Sequence, residues 1–308
     1  MNNQSSPSHC PFWPEPRLSP IAARDWLRDR IAAREPASLI RLGDGEFAVL
    51  GYGDMSPWSQ TSQALHVWFG RDDFEPLLLE KLATQLRDAV RSATVVGLPR
   101  PSRQATDPFC AWVGTTFERF FLQTPAQIYT DCAVHRLWQM LLAYREILAG
   151  LPFLGIISSR DIGPHIGATF GVAHVEVYPV PSERSALGAF ESIGSHFPQR
   201  FEQLCDTLTV PYRGAVFLVG AGALGKIYAE VIRQRGGIAI DVGSVLDGWA
   251  SQATRGFLVQ DPDQFSLQIY DRTAGWPAEQ LVSRYRGLLR SVFYRLPPSD
   301  EEIAFYEQ

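Results

Sequence analysis

Residues 216–244 read VFLVGAGALGKIYAEVIRQRGGIAIDVGS. An apolar run ends in a glycine-rich loop. A stretch with apolar residues at helical spacing follows, and then a second apolar run closes on an aspartate. That order is strand, loop, helix, strand, and a helix between two strands sets them parallel in one sheet. Gly220, Gly222 and Gly225 form GxGxxG, with Asp241 at the end of the next strand, which is formally a dinucleotide fingerprint. In such a loop glycines let the backbone approach a pyrophosphate, and the helix N-terminus favours its charge. Asp241 would then accept from a ribose hydroxyl. The pattern is cheap in an α/β chain, so a plain tight turn, a nucleotide contact and a true NAD(P) site all remain open. The NAD(P) reading is the weaker one: the fingerprint comes late, and no hydride-transfer site accompanies it.

Working outward, the same alternation runs through the chain. Ser19-Pro20 opens a helix, with Ser as N-cap and Pro at the first helical position. A strand over 38–42 follows, and then a long amphipathic helix over 74–92 with Leu77, Leu78, Leu82, Leu86 and Val90 on one stripe. Further strands are expected at 94–98, 127–130, 153–159, 174–180, 215–220 and 237–243, and helices at 109–122, 133–148, 224–235 and about 184–208. Several strands are continuous apolar runs, which suits burial on both faces. The expected fold is α/β: a Rossmann-like, doubly wound, mostly parallel sheet with helices on both faces. The expected organisation is a loose Pro- and Ser-rich arm over 1–18, then one domain over 19–308 with a mixed, aromatic tail.

The bulk numbers exclude some functions. The net charge is −5 and no basic run is present, which argues against a long nucleic acid partner. A small anion held by local donors is still allowed. The four cysteines form no CxxC and no zinc-finger spacing, which suits a reducing compartment. The N-terminus has no apolar signal core, and no apolar stretch reaches the ~20 residues of a membrane span. A cytoplasmic protein is expected, with peripheral membrane association left open.

The second glycine-rich stretch is LIRLGDGEFAVL, residues 39–50. Asp44 and Glu46 stand two apart, and in an extended segment residues i and i+2 point to one side. Two carboxylates so placed can share a hard cation such as Mn²⁺ or Mg²⁺. Gly43 and Gly45 leave room for a ligand near the backbone, and Arg41 could counter a phosphate or pair with a carboxylate. Asp-Gly is equally a strong turn dipeptide, so spacing alone favours an acidic turn.

Residues 39–50 resemble the segment that opens GT-D-type glycosyltransferase domains, where an R-x-GDGE stretch carries a DxE motif. Three other stretches resemble that family in order along the chain: VVGLPRP (95–101), FLGIISSRD (153–161) and FLVGAGALGK…GGIAIDVGSVLDGWA (217–250). The resemblance covers about 37–250, and the pairing of GDGE with GAGxLGK…DxGSxxDxW is more specific than either part. It implies metal-dependent transfer of a sugar from a nucleotide-diphosphate sugar, with a UDP-sugar as the expected donor and a glycan or other hydroxyl acceptor, in polysaccharide or glycoconjugate biosynthesis. Asp44 and Glu46 become the donor and metal carboxylates by position. Arg41, Gly43, Gly45, Arg160, Gly220, Gly222, Gly225, Lys226 and Asp241 fall around the expected nucleotide-sugar site, with loops 97–101, 158–161 and 220–225 shaping it. The rivals are an NAD(P)-binding oxidoreductase and a non-catalytic member of the fold.

An inverting transfer also needs a base for the acceptor hydroxyl. Asp54, Asp131, His135, Asp161 and Asp247 are candidates, and none stands out. Asp161 also reads as an N-cap, His135 as a partner-satisfied histidine on a helix, and Asp247 as a turn residue. Arg100, Arg136 and Arg160 suit either a phosphate clamp or ordinary ion pairs. Trp58 and Trp68 flank a stretch where an acceptor sugar could stack, although ordinary packing explains them as well.

Overall fold

The computed structural model describes residues 11–43, 45–182, 194–291 and 298–308. Seven strands form one sheet: β1 (Ala37–Arg41), β2 (Val95–Leu98), β3 (Ile128–Asp131), β4 (Leu154–Ser158), β5 (Val175–Pro179), β6 (Val216–Gly220) and β7 (Ile238–Asp241). Their order across the sheet is β3-β2-β1-β7-β6-β4-β5, and every pairing is parallel. Each strand lies within a residue or two of its expected place.

Period-2 alternation splits the strands between two cores. Ile40, Val96, Ile157, Phe217, Val219 and Ala239 face one, which is covered by helices Pro76–Ser92 and Leu224–Gln234. Leu39, Val95, Ile156, Leu218, Ile238 and Ile240 face the other, covered by helices Pro20–Ala33, Val134–Leu141 and Gly163–Phe170. This is the doubly wound arrangement expected. The first helix starts as read: Ser19 Oγ accepts from the Ala22 N–H at 3.1 Å.

Four differences have physical reasons. On helix Pro76–Ser92 the buried stripe is Leu79, Leu82, Ala83, Leu86, Ala89 and Val90, while Leu77, in the first turn, is 78% exposed. The helix expected over 133–148 breaks at Leu142, which has φ +57°. The break lets Trp138 and Tyr144 meet edge to face at 6.0 Å in one core. The expected loose arm is packed where it is described. Tyr129 donates its backbone N–H to Pro16 O at 2.9 Å, and Leu18 N–H bonds Tyr129 O at 2.8 Å, so residues 16–18 cover edge strand β3. The tail is mainly helical: Gly256–Gln260, Gln268–Arg272, Ala278–Ser291 and Asp300–Tyr306. Phe257, Phe265, Tyr285, Leu289 and Tyr306 build a third cluster on Leu137 and Met140.

Of the helical region expected over 184–208, residues 184–193 lie outside the described residues, and a helix is found at Phe201–Thr207. Among the described residues no helix is long and apolar enough to cross a membrane.

Candidate functional site

In open parallel sheets ligands settle outside the carboxyl ends of the strands, where connections diverge. Here β1 sends its chain toward β2 while β7 lies on its other side. A cavity of about 460 Å³ opens over this crevice and extends across β6 and β4, within the size range of small-molecule sites. Arg41, Gly43, Gly45, Glu46, Arg160, Gly220, Gly222, Lys226 and Asp241 all line it. The two glycine-rich stretches, about 180 residues apart in sequence, therefore face one space. Asp44 lies outside the described residues. Gly225 is not among the lining residues; it lies in the first turn of helix Leu224–Gln234, where a Cβ would come 3.1 Å from Val219 Cγ1.

Four charged side chains join the two stretches. Arg41 Nη2 meets Asp241 Oδ1 at 2.9 Å, and its Nε bonds the Asp241 carbonyl at 2.9 Å. Lys226 Nζ lies 3.1 Å from Asp241 Oδ2 and 2.6 Å from Glu46 Oε1. The remaining oxygen, Glu46 Oε2, accepts from Gly43 N–H at 2.8 Å. Cation and carboxylate thus alternate along the chain Arg41–Asp241–Lys226–Glu46.

All four side chains are largely buried, so the network holds only because its charges are paired. Burial works against the Arg41 charge, yet Asp241 outweighs it and raises the pKa above its ordinary value. Burial likewise opposes the Lys226 charge, but Asp241 and then Glu46 raise its pKa. Burial would raise Asp241, and Arg41 and Lys226 together hold it below the ordinary carboxylate range. Both Asp241 carboxylate oxygens already have cationic partners, so a ribose hydroxyl would share them with Arg41 and Lys226.

Around this network the cavity is strongly basic. Among the described residues, Arg41, Arg100, Arg103, Arg136, Arg160, Arg255 and Lys226 line it against three carboxylates, Glu46, Asp241 and Asp247. His135 lies with Nδ1 2.9 Å from Arg41 Nη1. Burial first, and then the charges of Arg41 and Arg136, push its pKa well below the ordinary value. It is therefore a neutral, partnered histidine. Burial, with Arg103 and Arg41 adding repulsion, brings Arg136 down to about 10.

The glycines divide by task. A Cβ on Gly220 would approach Leu246 Cδ1 to 2.8 Å, and Gly222 has φ +55°. The GxGxxG glycines thus serve helix packing and a tight turn. A Cβ on Gly45 would meet Trp68 Cζ2 at 2.7 Å. Trp68 lines the cavity floor, whereas Trp58 stands half-exposed against Tyr52, with ring centres 6.3 Å apart.

The extended reading of residues 44–46 does not hold for Glu46. β1 ends at Arg41, and Glu46 begins the short helix Glu46–Leu50, so its direction is set by a helical turn. Asp161 is not an N-cap; Ile162 holds that place before helix Gly163–Phe170, with no side-chain cap bond. Of the candidate bases, His135 and Asp247 line the cavity. Asp247 is held by Arg160 Nε at 2.7 Å and by Thr254 Oγ1 at 2.6 Å. Asp131 is buried and bonded to Tyr306 OH and to Ala133 N–H. Asp54 pairs with Arg119 at 2.6 Å outside the cavity. Arg100 meets Glu302 of the last helix at 3.3 Å.

Sequence reasoning missed Arg103, Arg255 and His196 in the cavity wall. Arg103 could have been found, since it directly follows a strand-end loop in VVGLPRPSR. Arg255 and His196 lie in segments without usable periodicity.

The expected Mn²⁺ or Mg²⁺ can be tested against this donor set. Among the described residues no group of three or more His, Cys, Asp or Glu side chains is placed to hold a metal. Both Glu46 oxygens and both Asp241 oxygens already serve Lys226, Arg41 or a backbone N–H. A cation at Glu46 would have to displace an ammonium, so the described residues do not fit a divalent ion.

A basic cavity at the strand-end crevice of a doubly wound parallel sheet is the setting in which α/β proteins take phosphorylated ligands. Residues 20–150 match the GT-D-like family model, described as a GT-D fold-like domain. No curated protein matches the chain. Three solved structures are similar to it at 15% identity. One is described as the domain of unknown function 1792 with a distinct glycosyltransferase fold; it aligns over 74% of this chain and 77% of its own, at a TM-score of 0.46. Another is described as a new glycosyltransferase from Streptococcus sanguinis with the same domain; it aligns over 74% and 80%, at 0.47. The third, a selenomethionine form of that domain, aligns over 74% and 77%, at 0.46. The likeness is distant, and the case for function rests on this chain's own cavity.

Proposed function

We propose that this protein is a glycosyltransferase whose donor is a nucleoside-diphosphate sugar, with a uridine diphosphate sugar as the first candidate and a glycan or glycoconjugate hydroxyl as acceptor. The observation that carries the reading is the charge of the cavity: among the described residues, seven cationic side chains stand against three carboxylates at the strand ends, in an acidic protein. A diphosphate is the common anionic group that such a cavity suits.

The chemistry follows from that charge. As the bond between the anomeric carbon and the diphosphate oxygen breaks, negative charge gathers on the leaving group. Fixed cations in a site shielded from water stabilise that charge more in the transition state than in the bound donor. Arginines suit the task, because a planar guanidinium can meet two phosphate oxygens at once. The acceptor oxygen then forms the new bond to the anomeric carbon as the bond to the diphosphate breaks, and its proton leaves to solvent with the released nucleoside diphosphate. A divalent ion at Asp44 and Glu46 would add Lewis-acid neutralisation. Glu46 would first have to release Lys226, and no step is assigned to a metal here.

The test is a panel of nucleotide sugars scored by thermal shift and by release of nucleoside diphosphate, with and without Mn²⁺, alongside NAD(P)H fluorescence. Stabilisation by one nucleotide-sugar class, with diphosphate release on adding a glycan acceptor, is the expected result. NAD(P)H binding with no response to nucleotide sugars would instead establish the oxidoreductase reading. Donor binding with no release on any acceptor would mark a non-catalytic member of the fold.

A further inference from the structure

The disagreement between the expected metal and the observed donors has a positive content. The Lys226 ammonium has three N–H groups, and each has an oxygen within reach: Glu46 Oε1 at 2.6 Å, Asp241 Oδ2 at 3.1 Å and the Gly222 carbonyl at 3.0 Å. Two carboxylates and a carbonyl are the hard oxygen donors that a divalent cation would seek. Lys226 fills that cage from the residue directly after the 220–225 loop, and it is 3% exposed.

We propose that Lys226 is the resident cation of the donor site, supplying from inside this oxygen cage the positive charge a divalent metal would bring, so that a nucleoside diphosphate binds without metal. This rests on the donor reading above.

Three consequences of the geometry support it. The cage joins the GDGE stretch, the glycine loop and β7, so one charge fixes three strand-end segments around the cavity. Lys226 also lies in the first turn of helix Leu224–Gln234, where the helix end adds partial positive charge on the same side. Because its three donors are engaged, Lys226 acts on the ligand through charge and through the placement of Glu46 and Asp241. Lys226 is therefore a positioning residue and not a catalytic one.

The experiment is calorimetric titration of UDP, GDP and ADP into the full-length protein, first in EDTA and then in millimolar Mn²⁺. For whichever nucleotide binds, the wild-type Kd should change by less than about threefold between the two conditions. Lys226→Met should weaken binding in EDTA by about tenfold or more. Mn²⁺ should recover that loss, because the emptied cage now has oxygens for a metal. A merely structural lysine would give a loss that Mn²⁺ does not repair. Wild-type binding that vanishes in EDTA and returns with Mn²⁺ overturns the inference and leaves the glycosyltransferase reading standing. Lys226→Met binding as tightly as wild type in EDTA also overturns it. No nucleotide binding in either condition sinks the donor reading itself. Should Lys226→Met fail to fold, the wild-type comparison in EDTA decides alone.

Discussion

The two glycine-rich stretches face each other across the crevice, yet their glycines and charges do different work. In the 43–46 stretch, Gly45 is small because Trp68 sits against it, and Gly43 gives its N–H to Glu46. That arm contributes a carboxylate. In the 220–226 stretch, Gly220 makes room for Leu246, Gly225 for Val219, and Gly222 takes a positive φ. That arm is a compact turn that delivers Lys226. One arm carries negative charge, the other positive, and Asp241 binds both Lys226 and Arg41. The loop that follows β6 thus sets Lys226 between Asp241 and Glu46.

The largest break in this arrangement should come from Asp241→Asn. Arg41 and Lys226 would lose their shared anion inside the protein. Removing one partner of a buried ion pair costs about 3–5 kcal/mol, so urea denaturation should show a loss of that order. A loss under about 1 kcal/mol would mean that water already screens the network and the two arms are not joined by charge.

The next test separates the glycines. Gly243 has φ +47°, and a Cβ there would lie 2.3 Å from Arg41 Nη2. Gly243→Ala should therefore cost about 1–3 kcal/mol through backbone strain and also weaken nucleotide binding by moving Arg41. For Gly43→Ala the one near atom is Glu46 Oε2 at 3.3 Å. It should cost about 1 kcal/mol or less, a small shift within the usual range of point substitutions. Equal losses would show that the left-handed backbone at 243 is not what holds Arg41.

How much of this was legible in the sequence follows from range. Each strand is a local apolar run, and all seven were placed. The helix-initiating Ser19-Pro20 is local too. The Glu46–Lys226 contact is not: both residues were singled out, but nothing in the spacing of either motif says that one neutralises the other. Asp44 and Glu46 were read as extended because a strand precedes them, whereas the chain enters a helix at Glu46. The tail was missed partly through short helices that show little periodicity. Leu281, Tyr285 and Leu288 did carry a helical pattern, and Ser299 with Glu302 forms a capping box that its spacing could have announced. The basic wall needed the fold, since its arginines come from several strand-end segments and the tail.

A smaller effect sharpens the comparison through pH. Each arm has a buried histidine beside it: His135 against Arg41, and His196 with Nε2 3.1 Å from Tyr228 OH on the helix after the glycine loop. Burial, and then Arg200, lowers His196 to about 3; burial and Arg41 lower His135 well below its ordinary value. Below about pH 6.5 the unfolded chain protonates both while the folded protein does not. The unfolded state then binds more protons, so stability falls as pH drops, by up to about 1.4 kcal/mol per pH unit for each histidine. Asp241 adds loss of the same sign lower down, as pH falls below about 4 toward its depressed pKa. His196→Gln should flatten the slope between about pH 5 and 6.5 by one proton in urea titrations. An unchanged slope would place His196 in water, and the second arm's packing would have to be redrawn.

The smallest effect belongs to Asp54, the candidate base that the fold leaves outside both arms. It sits in the turn after helix Glu46–Leu50 and pairs with Arg119 at 2.6 Å, both side chains at least a third exposed. An exposed pair of this kind contributes about 0.2–1 kcal/mol. Asp54→Asn should therefore shift thermal stability only slightly and leave donor binding and diphosphate release as they are. Its value lies in the contrast with Asp247, which lines the cavity in the grip of Arg160 and Thr254. Asp247→Asn should weaken turnover by loosening Arg160 at the cavity wall, since charge-assisted bonds of this kind contribute about 1.5–3 kcal/mol. If Asp54→Asn slowed transfer more than Asp247→Asn, the 51–57 turn would have to close over the cavity during the reaction. The division of labour between the two glycine-rich arms would then describe the resting protein and not the one that reacts.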